Sequence, residues 1–162
     1  MADNIGEKAP LILVVDDDWM NREVMEAHLV TDGYQVMLAH SGEEALKLSG
    51  EHTPDLILLD VRMHGISGYD VCRQLRAQAQ TRRIPVIMVT ALDSDDVRQK
   101  GIEAGVDDFI IKPFSSLTML TRVKSLVRIS RLQQELAMMQ QRLNQHPGDA
   151  VDGVMPVSEQ RD

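Results

Sequence analysis

Apolar residues cluster in five short runs along the chain: Leu11 to Val15, Tyr34 to Ala39, Leu56 to Leu59, Pro85 to Val89 and Phe109 to Ile111. The runs are rich in Val, Ile and Leu, lack alternation with polar residues, and are separated by stretches of helical length. That is the pattern of parallel strands buried on both faces. The stretches between them carry start and stop signals. Ser41-Gly-Glu-Glu44 reads as a capping box, Ser67 with Asp70 and Asp93 with Asp96 as further N-terminal caps, and Gly33, Gly50 and Gly105 as C-terminal stops. Helices are therefore predicted over Trp19 to Asp32, Glu43 to Ser49, Gly68 to Gln78 and Ser94 to Ala104, with a last one starting near Ser115. Right-handed crossovers fold such a chain into an α/β doubly wound three-layer sandwich.

The last predicted helix is unusually long. Helix-compatible sequence runs from Ser115 to Asn144 without Gly or Pro, about 45 Å at 1.5 Å per residue. Its apolar phase shifts midway. Leu117, Leu120, Val123 and Val127 form a stripe expected to pack on the sheet, whereas Ile129, Leu132, Leu136, Met139 and Leu143 follow the a/d spacing of a coiled coil. This second stripe reads as a parallel homodimer seam or a connecting helix. The expected plan is an N-terminal tail over 1–10, an α/β domain over 11–128, a helical extension over 129–145 and a disordered, polar and acidic tail over 146–162.

Charge and cysteine usage narrow the classes of function. The formal net charge is -8 and no Lys/Arg block offsets it, so phosphate backbones are repelled and direct nucleic acid binding is not expected. A single cysteine, Cys72, excludes an intrachain disulfide and fits a reducing, cytoplasmic setting. The first ten residues carry no apolar signal segment, and no apolar run approaches the ~18 residues that span a bilayer.

The polar residues that end the runs carry the candidate chemistry. Asp16-Asp17-Asp18 follows the first run, Asp60 the third, Thr90 the fourth and Lys112 the fifth. In an open parallel sheet the carboxyl ends of strands border the ligand crevice, so these groups can converge. Carboxylates packed together need a cation, and an all-oxygen donor set suits Mg²⁺. Lys112 and Thr90 add an ammonium and a hydroxyl, the groups that hold phosphoryl oxygens. A carboxylate in that setting is placed to attack a phosphoryl group and become an aspartyl phosphate.

The segments LILVVDDDWMNR, DLILLDVRMHGISGYDVC, VIMVTAL and DDFIIKPF together resemble the receiver domain of two-component response regulators, over about Leu11 to Arg128. The resemblance implies a flavodoxin-like fold with five parallel strands in the order 2-1-3-4-5. It implies that Asp60 accepts a phosphoryl group from a histidine kinase or histidine phosphotransfer protein. Asp17 would bind Mg²⁺ directly, Asp16 through water, and the backbone carbonyl of Arg62 would complete the protein ligands. Thr90 and Lys112 match the residues that contact the phosphoryl group, and Phe109 matches the aromatic that turns inward when the hydroxyl moves. Such a receiver is not an enzyme in the ordinary sense, because Asp60 is consumed by its own reaction. The segment TRVKSLVRISRLQQEL also resembles linkers that join receivers to cyclic-dinucleotide enzymes.

Three residues depart from the family pattern. His64 stands where a proline commonly follows the methionine, which removes a fixed φ from the loop. Arg62 and Leu92 lie two residues past Asp60 and Thr90, beside the path of attacking water, and are expected to alter dephosphorylation. Two rival readings compete with the receiver. Asp16-Asp17-Asp18 also fits the D-x-D start of haloacid-dehalogenase-type phosphatases, with Asp16 as nucleophile, but that leaves Asp60 unexplained. A flavin or nucleotide carrier would need a Gly-rich phosphate loop after the first strand, and none is present. His28, His40, His52, His64 and His146 lack metal-ligand spacing. Asp18 reads as a helix cap, and Asp107 and Asp108 as turn residues.

Overall fold

All five apolar runs form strands in the computed structural model, which describes residues 8–145. The strands are β1 (Leu11–Val15), β2 (Gln35–Ala39), β3 (Leu56–Asp60), β4 (Val86–Thr90) and β5 (Asp108–Ile111). They alternate with α1 (Trp19–Thr31), α2 (Gly42–His52), α3 (Gly68–Ala77), α4 (Asp95–Ala104) and α5 (Ser116–Gln145). The sheet is wholly parallel, in the order β2-β1-β3-β4-β5. The flavodoxin-like doubly wound α/β sandwich is thus the observed fold.

Successive strand residues point to opposite faces, and both faces are dry. Ile12, Val14, Leu56, Leu58, Ile87, Val89 and Ile110 pack with Met25 and Leu29 of α1 and with Met119, Val123 and Val127 of α5. On the other face, Leu13, Val15, Ile57, Leu59 and Val86 meet Ala45 of α2, Val71, Cys72 and Leu75 of α3 and Ala104 of α4. Each such Leu or Ile contributes about 1.5–3 kcal/mol relative to exposure. This is why the strand sequences show no polar alternation. Cys72 is buried and free.

The helix signals hold in part. Ser67 and Asp70 form the reciprocal capping box of α3, and Asp18 caps α1 by accepting from the Met20 N–H. Gly33 and Gly105 take positive φ after α1 and α4. Other expectations need correction. Gly50 does not stop α2, which continues to His52, and Thr53 adopts the left-handed conformation instead (φ 46°). Ser41 caps α2 by accepting from the Glu44 N–H, but the Glu44 carboxylate returns to the His40 N–H rather than to Ser41. The α4 cap is Ser94, whose hydroxyl accepts from Val97, while Asp93 pairs with Arg98. Of the expected α5 stripe, Leu120, Val123 and Val127 pack on the sheet, while Leu117 is exposed and Met119 is buried in its stead.

The chain divides into two compact units, residues 1–130 and 131–162. The described residues of the second unit, 131–145, are all helical. The expected tails fall largely on residues 1–7 and 146–162, outside the described residues. Among the described residues, no helix is long and apolar enough to cross a membrane.

Candidate functional site

The strand order makes β1 and β3 neighbours, with Val15 beside Leu59, so the residues that follow them share one end of the sheet. The Asp16 N–H donates to the Ala39 carbonyl (3.2 Å), continuing the β1–β2 ladder by one residue, and its carbonyl accepts from Arg22 Nη1 (2.6 Å). With its backbone held on both sides, the Asp16 side chain is only 1% exposed. Its Oδ1 accepts from the Asp18 N–H (2.9 Å) and its Oδ2 meets Lys112 Nζ at 3.1 Å. Asp60 is the last residue of β3, in register with Val89 of β4, and lies 3.6 Å from the same Nζ.

Asp16, Asp17 and Asp60 each offer a carboxylate oxygen within 4.8 Å of the other two. Among the described residues no other such group of acidic, His or Cys side chains forms, and no histidine joins this one. The crowding has an electrostatic consequence. Burial first, then the negative charge of Asp16, pushes the Asp60 carboxyl up to about 6, against the opposing pull of Lys112 and of the Arg62 backbone N–H. Three hard oxygen donors in that state fit a divalent cation of the Mg²⁺ type.

Lys112 is delivered by β5. Its N–H donates to the Thr90 carbonyl (2.8 Å), extending the β4–β5 ladder past Ile111, and the peptide to Pro113 is cis. Thr90 closes β4, is buried, and accepts from the Leu92 N–H through Oγ1 (3.1 Å). Phe109 does not join the carboxylates. It pairs with Met88 in the sheet, and a Cβ built on Gly101 of α4 would meet its ring at 2.4 Å. The Arg98 guanidinium lies 5.7 Å from the ring centroid. Arg62 is exposed.

One contact and one residue escaped the sequence reading, which noted His64 only as a missing proline. His64 reaches Asp17 Oδ2 with its ring Nδ1 at 3.0 Å and its backbone N–H at 3.4 Å; a proline there would lack that donor. Gly68, at the start of α3, donates its N–H to the Val61 carbonyl (3.0 Å), and a Cβ on it would stand 2.3 Å from the Asp60 carbonyl oxygen. The glycine lets α3 close against the strand end that carries Asp60. Its only sequence signal was its place just after the cap Ser67.

The family model described as response regulator receiver domain matches residues 12–124. Response regulator PleD of Caulobacter vibrioides is 43% identical over 125 residues, which is 77% of this chain and 28% of PleD. Response regulator MprA of Mycobacterium ulcerans is 42% identical over 126 residues, 78% of this chain and 53% of MprA. The chain thus spans about half or less of the length of these curated relatives. Among solved structures, the receiver domain of a sensor histidine kinase from Pseudomonas aeruginosa PAO1, crystallised with a magnesium ion coordinated in its active site cleft, aligns with a TM-score of 0.70 and 32% identity. The alignment covers 74% of this chain and 98% of that one. Nothing in these similarities supports the haloacid-dehalogenase-type reading with Asp16 as nucleophile.

Proposed function

The chain belongs to the receiver domains of two-component response regulators, and from that premise we propose that Asp60 takes a phosphoryl group from a phosphohistidine donor. The observation that carries this reading is the convergence of Asp16, Asp17 and Lys112 on Asp60 at one end of the parallel sheet. With its carboxyl at about 6, Asp60 is mostly ionised at neutral pH and available as a nucleophile. One Asp60 oxygen forms a bond to phosphorus as the phosphorus–nitrogen bond to the donor imidazole breaks, and the imidazole leaves with that electron pair. Lys112, already between Asp16 and Asp60, would follow the incoming negative charge.

Asp16, Asp17, Asp60 and the carbonyl of Arg62 are the groups that would hold Mg²⁺. Bound there, the cation neutralises charge on the transferring group and offsets the repulsion among the carboxylates. Thr90 Oγ1 is the hydroxyl donor for the phosphoryl oxygens, a role its O–H can take while a lone pair still accepts from the Leu92 N–H. Motion of Thr90 would alter packing around Phe109, seated against Gly101 and Arg98, and so carry the event to the face formed by α4, β5 and α5. The donor is a histidine kinase or a histidine phosphotransfer protein. Trp19, Met20 and Val24 expose apolar surface on α1, immediately after the acidic segment, and offer it a docking face.

The reading is tested by labelling with a small phosphodonor such as acetyl phosphate. Label should appear only with Mg²⁺, vanish in Asp60→Asn and persist in Asp16→Asn at reduced level; label retained in Asp60→Asn overturns it. Arg62→Ala and Leu92→Ala should each change the rate of phosphate release at least two-fold. Release rates equal to the parent would remove both side chains from the account.

A further inference from the structure

His64 touches the site without belonging to its carboxylate cluster. Its ring Nδ1 lies 3.0 Å from Asp17 Oδ2, and its backbone N–H reaches the same oxygen at 3.4 Å. An ionised carboxylate only accepts, so the ring nitrogen carries the proton and donates. We infer that His64 is a positioning residue for the divalent cation: it holds Asp17 by Oδ2, presents Oδ1 to the metal, and ties to Asp17 the loop that carries the Arg62 carbonyl. The inference rests on the cation site proposed above.

The loop between β3 and α3 is anchored on the side away from His64. The Gly68 N–H donates to the Val61 carbonyl at 3.0 Å, and Ile66 lies against the first residue of α2, where a Cβ built on Gly42 would meet its Cγ1 at 2.5 Å. Gly65, between Ile66 and His64, takes a positive φ of 87°, a turn open to glycine at no steric cost. The His64 backbone is therefore set by a turn whose far side is packed, and its ring closes the near side onto Asp17. That ring is fully exposed, so it adds nothing to the core, and an exposed His–Asp contact contributes little by itself. Its effect lies in what it orders. The Asp17 carboxylate and the Arg62 carbonyl come from segments far apart in sequence, and both must be in place for the cation to bind. Hydrogen bonds to ligating carboxylates commonly change metal affinity 10–100-fold, and full exposure sets His64 lower, at about three- to ten-fold.

Calorimetric titration of the full chain with Mg²⁺ tests the inference. His64→Ala removes the ring and keeps the backbone N–H, whereas His64→Asn carries an amide nitrogen where Nδ1 stands. His64→Ala should raise the Kd for Mg²⁺ about three- to ten-fold, and His64→Asn should recover most of that loss. Unfolding midpoints of both variants without Mg²⁺ should stay close to the parent's, which separates a role toward the cation from a role in the fold. Equal Kd values for the parent and His64→Ala overturn the inference. Tighter binding by His64→Ala also overturns it, because the ring would then compete with the metal for Asp17. So does His64→Asn binding no better than His64→Ala, since the ring nitrogen would not be the group that acts. Failure of the cation site itself is distinct: a parent that takes up no Mg²⁺, or Asp17→Asn binding as well as the parent, overturns that reading and this inference with it.

Discussion

Asp60→Asn should make the protein more stable at neutral pH without Mg²⁺, by about 1–3 kcal/mol, while abolishing phosphoryl uptake. The Asp60 carboxyl stands at about 6 in the fold against an ordinary 3.8. A raised value means that the folded state holds this proton more tightly than the unfolded chain does. The stabilisation it brings is fully present below about pH 3.8 and is lost as pH rises through about 6. Above that, the fold carries the cost of an ionised carboxylate beside Asp16 and Asp17. At 1.36 kcal/mol per pH unit, a shift of about two units sets the upper end of the expected gain. Denaturant unfolding of both proteins as a function of pH measures it: the difference should grow between pH 4 and 6 and level off above. Adding Mg²⁺ should narrow it, because a cation held by the three carboxylates would stabilise the folded parent and offset the same repulsion. A variant no more stable than the parent at pH 7 would refute the electrostatic account.

Gly68→Ala should destabilise the protein by about 3 kcal/mol or more, at the upper end of the range for overpacking. The added methyl would lie 2.3 Å from the Asp60 carbonyl oxygen and 3.0 Å from Val61 Cα. Both are backbone atoms, so no rotamer change relieves the clash. Relief requires α3 to withdraw from the end of β3, which breaks the Gly68 to Val61 hydrogen bond and moves the Asp60 backbone. Phosphoryl uptake should therefore fall with stability. Gly50→Ala is the contrast. Gly50 lies exposed inside α2 with nothing within 4 Å of its added Cβ, so alanine there should stabilise by about 0.5–1 kcal/mol through helix propensity alone. Equal unfolding midpoints for the two variants would show that the close approach at Gly68 is not a constraint.

The strands and the site were readable from sequence for the same reason. A parallel sheet buried on both faces admits almost no polar residue inside its strands, so polar side chains sit at strand ends, and the carboxyl ends mark the crevice. Asp16, Asp60, Thr90 and Lys112 stood out because the rows before them are apolar. Residues whose role lies in three-dimensional proximity were not readable. Arg76 donates to the carbonyls of Ile84 and Gly105 and pairs with Asp107, tying the end of α3 to the approaches of β4 and β5, yet in sequence it is one more polar residue on an amphipathic helix. The contact of His64 with Asp17 spans 47 residues. The one misplaced member of the α5 stripe, Leu117, has a similar origin. Leu117 and Met119 are both apolar, and only the angle at which the helix meets the sheet decides that Met119 is buried and Leu117 exposed.

The central claim is that the phosphoryl group is carried on Asp60. An acyl phosphate is reduced by borohydride to an alcohol, so trapping after incubation with acetyl phosphate and Mg²⁺ converts the modified aspartate into homoserine, which peptide mass spectrometry can place. The expected result is homoserine at position 60 and intact aspartate at positions 16 and 17. Homoserine at position 16, or at none of the three, would contradict the account.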